Sequence, residues 1–429
     1  MPRSEPVHPR TREPVSHISP LRVVAVLFGG RSLEHDVSIV SGLQVLHAVD
    51  PTRFAPVPVY IDQQSRWWTG DTLWHNESFK GNGPNRSQLT EVCLAPGFGA
   101  SALVPVGELG GRRAETIHVD VFVPVLHGTF GEDGSIQGLL ELGGCAYVGC
   151  GVAASAIGMN KRLTKIVAQQ IGVPVVKWIS CERAVLDRDV NATSDEGPDR
   201  RLEGRRGNAW MRDVPAKVDA AFGWPVIVKP CNLGSSAGVS TAYTSSDLVT
   251  GLLRVFEYDT EAIVEPFIRN RLELNVAVAG LDVPVASVTE MPVTSQTSPL
   301  SFSEKYKRQG RKSIGSSGGM AGALRVLDPQ DLPESLRRQA QDYAVAVFSA
   351  LGCEGISRVD FLIDADAGAL YFNEINTLPG SLAFYLWSAA PHYWTITELL
   401  NRLIDRAEHL RAVRRGLQRQ PPPELRLFG

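Results

Sequence analysis

The sequence is short of cysteine, of excess charge and of long apolar runs, and each shortage removes a class of function. Its six cysteines (Cys93, Cys145, Cys150, Cys181, Cys231, Cys353) are scattered without CxxC spacing. That excludes a thiolate zinc cluster and a disulfide framework, and reads as reduced, mostly buried thiols of a cytoplasmic protein. A formal net charge of -3 leaves no basic surplus for nucleic acid. No segment approaches the roughly 18 apolar residues needed to cross a bilayer. The first twenty residues, rich in Pro, Arg and Ser, lack the apolar stretch of a secretory signal and read as a disordered leader, 1–20.

What is present is ordinary globular composition, 43% hydrophobic and 21% charged over 429 residues. That length asks for more than one core. The run LRVVAVLFGG (Leu21 to Gly30) reads as a buried strand closed by a Gly pair, with a helix from about Asp36 to Ala48. VDVFVPVLHG is a second buried strand, ending at His127-Gly128 and followed by a Gly-rich turn and a helix. Alternation of this kind predicts an α/β lobe over 21–155 built on an open parallel sheet. Its ligands lie beyond the carboxyl ends of the strands, where Glu34 and His127 fall. A small lobe is expected over 156–268, interrupted by a polar inserted loop at 184–216. A third lobe is expected over 269–412, followed by a tail at 413–429.

The strongest local feature is the hairpin SRVDFLIDADAGALYFNEIN. Strand side chains alternate faces, so Arg358 shares a face with Asp360, and Glu374 shares one with Asn376. Aligned across the hairpin, these would bring a guanidinium, two carboxylates and an amide together. Hard oxygen donors of that kind suit Mg²⁺ on nucleotide phosphates. The competing reading, a surface Arg–Asp pair, must explain why both strands are otherwise so apolar. Lys229 ends a strand that enters the loop PCNLGSSAG, whose N–H groups and hydroxyls suit phosphate; a plain flexible turn is the other reading. Lys161 opens a helix, where a cation opposes the dipole. That fits a cation kept for an anionic ligand, although Asn160 as a cap also explains the helix start. Lys305-Tyr306 lies in a Gly/Ser-rich stretch, 293–319, of lid-like composition.

The order of these pieces is more specific than any one of them. The stretches LFGGRSLEHDVS, LHGTFGEDGSIQGLLELGGCAYVGCGVAASAIGMNK, VIVKPCNLGSSAG, SRVDFLI and NEINTLPGS resemble the D-alanine–D-alanine ligase family of ATP-grasp enzymes, from about Leu21 to Ala407. The resemblance implies an ATP-grasp fold with ATP between two β lobes. Lys161 and Lys229 would serve its phosphates, with Ser235 and Ser236 in the closing loop, and Lys305 would also bind ATP. The linker Glu265-Pro266-Phe267-Ile268 would hold adenine, and Glu273 the ribose. It implies two Mg²⁺ (or Mn²⁺) ions on Asp360, Glu374 and Asn376. Glu34, with Ser235 and Tyr306, would anchor the first D-alanine, His127 would lie near its carboxylate, and Arg358 with Gly380 would form the oxyanion site. A cytoplasmic homodimer making the dipeptide for peptidoglycan is implied as well. The match departs at the second subsite, where the family places a Ser-Leu pair and this chain has Tyr385 and Leu386. That departure keeps D-lactate, D-serine or another acceptor open beside D-alanine.

Overall fold

The computed structural model describes residues 21–107, 115–183, 209–293, 325–389 and 391–418. The expected leader, most of 184–216, Lys305, Tyr306 and the end of the tail lie outside the described residues. The first lobe contains, in chain order, β1 (Arg22–Gly29), α1 (His35–Ala48), β2 (Phe54–Ile61), β3 (Trp67–Thr69), β4 (Thr90–Leu94) and β5 (Ala102–Pro105). It continues through β6 (Ile117–His118), β7 (Val121–Pro124), α2 (Ser135–Leu142) and β8 (Ala146–Tyr147). Val24 to Phe28 are wholly buried, as an apolar run covered on both faces requires. The sheet runs β6-β5-β4-β3-β2-β1-β7-β8. The expected parallel sheet is only its β2-β1-β7-β8 part. Strands β3 to β6 join antiparallel, and at two to five residues each they carry too little alternation to be read from sequence.

Next come α3 (Val152–Met159), α4 (Lys161–Gln170), β9 (Ile179–Glu182), α5 (Ala209–Phe222), β10 (Val226–Pro230), β11 (Ser240–Ala242), α6 (Ser245–Val255) and β12 (Glu261–Pro266). The four strands form an antiparallel sheet in the order β11-β10-β12-β9. Asn160 caps α4 by accepting from the Leu163 N–H. The end of the span expected as loop, 209–216, is helical in α5 despite Pro215. Trp210 and Val218 pack into this lobe's core beside Val226 and Val228, and that burial outweighs the lost backbone hydrogen bond.

The third lobe holds β13 (Arg271–Gly280), β14 (Pro284–Pro292), β15 (Arg325–Leu327), α7 (Glu334–Ala350), β16 (Gly355–Asp364), β17 (Ala369–Asn376) and α8 (Ile396–Arg415). Its antiparallel sheet runs β15-β14-β13-β16-β17. Helix α8 starts on a reciprocal cap between Thr395 and Glu398 and runs on to Arg415, past the expected end of the lobe. Between β17 and α8 a tight turn, Gly380–Trp387, places Ser381, Leu382 and Ala383 in left-handed conformations. Such backbone is strained for L-residues. It persists because Leu382, Ala383, Tyr385, Leu386 and Trp387 are packed in one core with α1 and α8.

The first and third lobes meet almost backbone to backbone. A Cβ on Gly355 would lie 2.5 Å from the Gly149 nitrogen, and Gly355 itself has φ +65. Gly355→Ala combines collision with left-handed strain and is expected to cost roughly 2–4 kcal/mol. Urea denaturation measures this, and a change under 1 kcal/mol would mean that the junction can open without loss.

Candidate active site

Antiparallel register builds the centre of the site. Across the β16–β17 hairpin Arg358 is opposite Asn376, and Asp360 is opposite Glu374. On the other side Asp360 faces Asn275 of β13, which faces Glu290 of β14. Register partners project to the same face. A polar row Glu290–Asn275–Asp360–Glu374 therefore crosses a sheet whose opposite face is core. A bulge after Asp360 adds one residue to β17, so that Asn373 as well as Glu374 lines the same cleft.

The charges in this row are paired. Arg358 grips Asp360 with Nε and Nη2, each at 2.7 Å, and Asn376 donates to Asp360 Oδ2 at 3.0 Å. The Lys161 ammonium lies 3.0 Å from Glu374 Oε2 and donates to the Leu233 carbonyl at 2.6 Å. Burial works against the charge on Lys161, but Glu374 more than offsets it and the net shift is upward. Arg358 is likewise held charged by Asp360 against its burial.

A cleft opens beside these groups. Lys161, Lys229, Asp360 and Glu374 line it together with Phe267, Ile268 and Glu273. Ser236 also reaches it, from a loop in which Ser235 and Ser236 have φ 52 and 59. Glu265 reaches it too, but its carboxylate is turned to lysines. It accepts from Lys229 Nζ at 2.6 Å and makes an ion contact with Lys165 Nζ at 2.7 Å, too poorly directed to be a good hydrogen bond. Lys229 also donates to Asn373 Oδ1 at 3.1 Å.

A smaller adjoining cavity is lined by Glu34, Gly128, Gly234 and Ser235. The Ser235 hydroxyl donates to Glu34 Oε1 across the two lobes. A Cβ on Gly128 would lie 2.7 Å from the other Glu34 oxygen, so only glycine leaves room for that carboxylate. His127 is buried with Nδ1 3.0 Å from the Leu378 carbonyl, which can only accept, so Nδ1 carries the proton of the neutral ring. Its Nε2 is buried without a partner among the described residues. Glu132 takes the Gly128 N–H at 2.8 Å and the Leu378 N–H at 3.3 Å. Burial, and then the neighbouring Glu34, push its carboxyl well up. Together His127 and Glu132 fasten the first lobe to the turn that carries Gly380.

The matches to known proteins agree with this geometry. Residues 23–150 match the family model described as the D-ala D-ala ligase N-terminus, and 202–405 match that of the C-terminus. A D-alanine–D-alanine ligase of Acetivibrio thermocellus is 34% identical over 397 residues, covering 90% of this chain and 95% of that one. The chain belongs to the D-alanine–D-alanine ligase family. A relative of the same description from Chlorobium limicola is 36% identical over 360 residues, 83% of this chain and 88% of its own. Among solved structures, the D-alanine-D-alanine ligase of Coxiella burnetii superimposes with TM-score 0.69 at 27% identity, covering 92% of this chain and 97% of that one. The VanG D-Ala:D-Ser ligase of Enterococcus faecalis does so with 0.68 at 25%, covering 90% and 100%. They share the ATP-grasp fold.

Within this family chain, Tyr385 and Leu386 do not line the cleft but lie in the core under the Gly380 turn. Tyr385 donates to Glu290 Oε2 at 3.3 Å, and the Arg325 guanidinium sits 3.7 Å from the centre of its ring. Sequence reading missed Asn275, Glu290, Arg325 and Lys165. The first three lie on strands whose register only the fold determines. Lys165 had a usable signal, since it is one turn from Lys161 on the same helix face.

Burial lowers the His127 pKa from 6.5 to about 4. The unfolded chain therefore binds a proton that the folded chain refuses between these values. Stability is whole above pH 6.5 and falls as pH drops towards 4, by about 3 kcal/mol. His127→Gln should flatten that part of a stability–pH curve, and an unaltered curve would locate the acid sensitivity elsewhere.

Proposed function

We propose that this chain joins two D-alanine molecules at the expense of ATP. The carrying observation is the alignment of Arg358 and Asp360 with Asn376 and Glu374, the last of them 3.0 Å from the Lys161 ammonium, beside a cleft that Lys161, Asp360 and Glu374 line. The γ-phosphoryl group of ATP passes to the carboxylate of the first D-alanine. A carboxylate O–P bond forms and the bond to ADP breaks. The amine of the second D-alanine attacks the carbonyl carbon of this acyl phosphate and gives up a proton. The tetrahedral intermediate then collapses with loss of phosphate, leaving D-alanyl-D-alanine.

Phosphoryl transfer is largely positioning and charge neutralisation. Lys161 and Lys229 meet the phosphates, and Ser235 and Ser236 cover them. Phe267 and Ile268 flank the base. The Glu265 carboxylate serves Lys165 and Lys229, so its main chain is what it offers the adenine. Glu273 takes the ribose. Glu34, set by Ser235, receives the ammonium of the first D-alanine beside His127. Lys305 and Tyr306 are assigned here from the family pattern alone. Arg358, permanently charged, stabilises the oxyanion with the Gly380 N–H.

Two carboxylates and an amide oxygen suit a hard cation, and Asp360 and Glu374 already draw the guanidinium and ammonium groups around them. Among the described residues no three His, Cys, Asp or Glu form a metal cluster. Mg²⁺ needs only one or two carboxylates when phosphates and water complete its shell. Two Mg²⁺ or Mn²⁺ ions would be held by Asp360, Glu374 and Asn376 and would supply charge neutralisation at the phosphates. The reading carries with it a cytoplasmic homodimer supplying peptidoglycan precursor. Incubation with ATP, Mg²⁺ and D-alanine should release ADP and give D-alanyl-D-alanine by mass spectrometry. ADP release only when another acceptor is added would favour a related D-alanine–D-X ligase, the alternative motivated by Tyr385 standing where the family places a serine.

A further inference from the structure

The buried set at Tyr385 has no part in the reaction as written above, and it stands beside the reacting centre. Glu290 and Arg325 are paired at 2.8 Å, with 4% and 10% of their side chains exposed. Tyr385 donates to Glu290, and its ring supports the Arg325 guanidinium at 3.7 Å. The ring thus holds the guanidinium from one side and the carboxylate fixes its direction. Glu290 lies in the same cross-strand row as Asp360, with Asn275 between them, so the set stands on the sheet face that carries Asp360 and Glu374. Tyr385 itself belongs to the strained turn that begins at Gly380, the residue assigned above to the oxyanion.

A buried ion pair needs a reason, because apolar residues of like volume usually stabilise as well or better. Complementarity to a zwitterion supplies one. An α-amino acid adds no net charge when it docks on an Arg–Glu pair, whereas a simple amine or a hydroxy acid brings an unbalanced ion. Resting on the ligase reading, we propose that Arg325, oriented by Glu290 and Tyr385, receives the carboxylate of the second amino acid. The acceptor class is then zwitterionic α-amino acids. Arg325 is a substrate-binding residue, and Glu290 is a positioning residue that acts through it.

Hydroxylamine separates this from the ligase reading, since it traps an acyl phosphate as the hydroxamate and has no carboxylate. The full chain, Arg325→Met, Arg325→Lys and the double variant Glu290→Gln/Arg325→Met are assayed with ATP, Mg²⁺ and D-alanine. Hydroxylamine, D-alaninamide or D-lactate is added in separate reactions. Native protein should form hydroxamate and favour D-alanine over D-alaninamide and D-lactate. Arg325→Met should keep hydroxamate formation within about twofold while the dipeptide-to-dipeptide-amide ratio falls roughly 10- to 100-fold. Arg325→Lys should keep part of the ratio. The double variant, which buries no unpaired Glu290, should match Arg325→Met. An unchanged ratio in both Met-containing variants overturns the assignment alone, as does a parallel loss of hydroxamate and dipeptide in the double variant. Native protein that forms no hydroxamate overturns the ligase reading and the assignment with it.

Discussion

Glu374→Gln should leave a folded protein whose turnover has fallen roughly 10³-fold or more. The fold survives because the Glu374 side chain is 23% exposed and its partner Lys161 keeps the Leu233 carbonyl at 2.6 Å. Turnover falls because the substitution removes one of only two carboxylates opposite each other on the hairpin. The amide that replaces it is a weaker ligand for a hard cation and no longer balances Lys161. A thermal melt within a few degrees of native, combined with loss of ADP release, is the expected pair of results. Normal ADP release would move the metal elsewhere. Raising Mg²⁺ should recover little, since the missing interaction is charge stabilisation during transfer and not only affinity.

This centre was legible because strand alternation has a period of two. Arg358 with Asp360 and Glu374 with Asn376 had to share faces, and one hairpin turn sufficed to bring them opposite each other. The bulge that adds Asn373 to the cleft leaves no mark in the alternation. Glu290 and Asn275 sit on strands that read correctly as strands. Their place in a row with Asp360 depends on register between segments about seventy to eighty-five residues apart, which no local pattern fixes. Helix α5 was hidden by Pro215, whose local cost is overcome by contacts with a core formed mostly by later residues. Glu265 lies near the end of β12, but the direction of its carboxylate follows from Lys165, a hundred residues earlier. Local chemistry showed through where a single hairpin contained it, and was lost where distant segments shared it.

Glu265→Gln should be the most destabilising change near the cleft, by about 3–5 kcal/mol, because it leaves an uncompensated charge buried. Lys165 is wholly buried and Glu265 1% exposed, and Lys229 lies against the other carboxylate oxygen at 2.6 Å. Burial alone would raise the Glu265 pKa, yet Lys165 and then Lys229 carry it from 4.5 down to about 2. Burial lowers the Lys165 pKa, with Glu265 opposing that shift and Lys229 adding to it. A carboxylate with a depressed folded pKa contributes stability that is whole above pH 4.5 and is lost as pH falls towards 2. That contribution is worth about 3 kcal/mol, of the same order as the mutational cost. The two measurements therefore test one interaction. Glu265→Gln/Lys165→Met removes the orphaned cation together with its partner and should regain most of the loss in urea denaturation. A double variant no more stable than Glu265→Gln would show that the cost comes from Lys229 or from packing, and not from stranding Lys165.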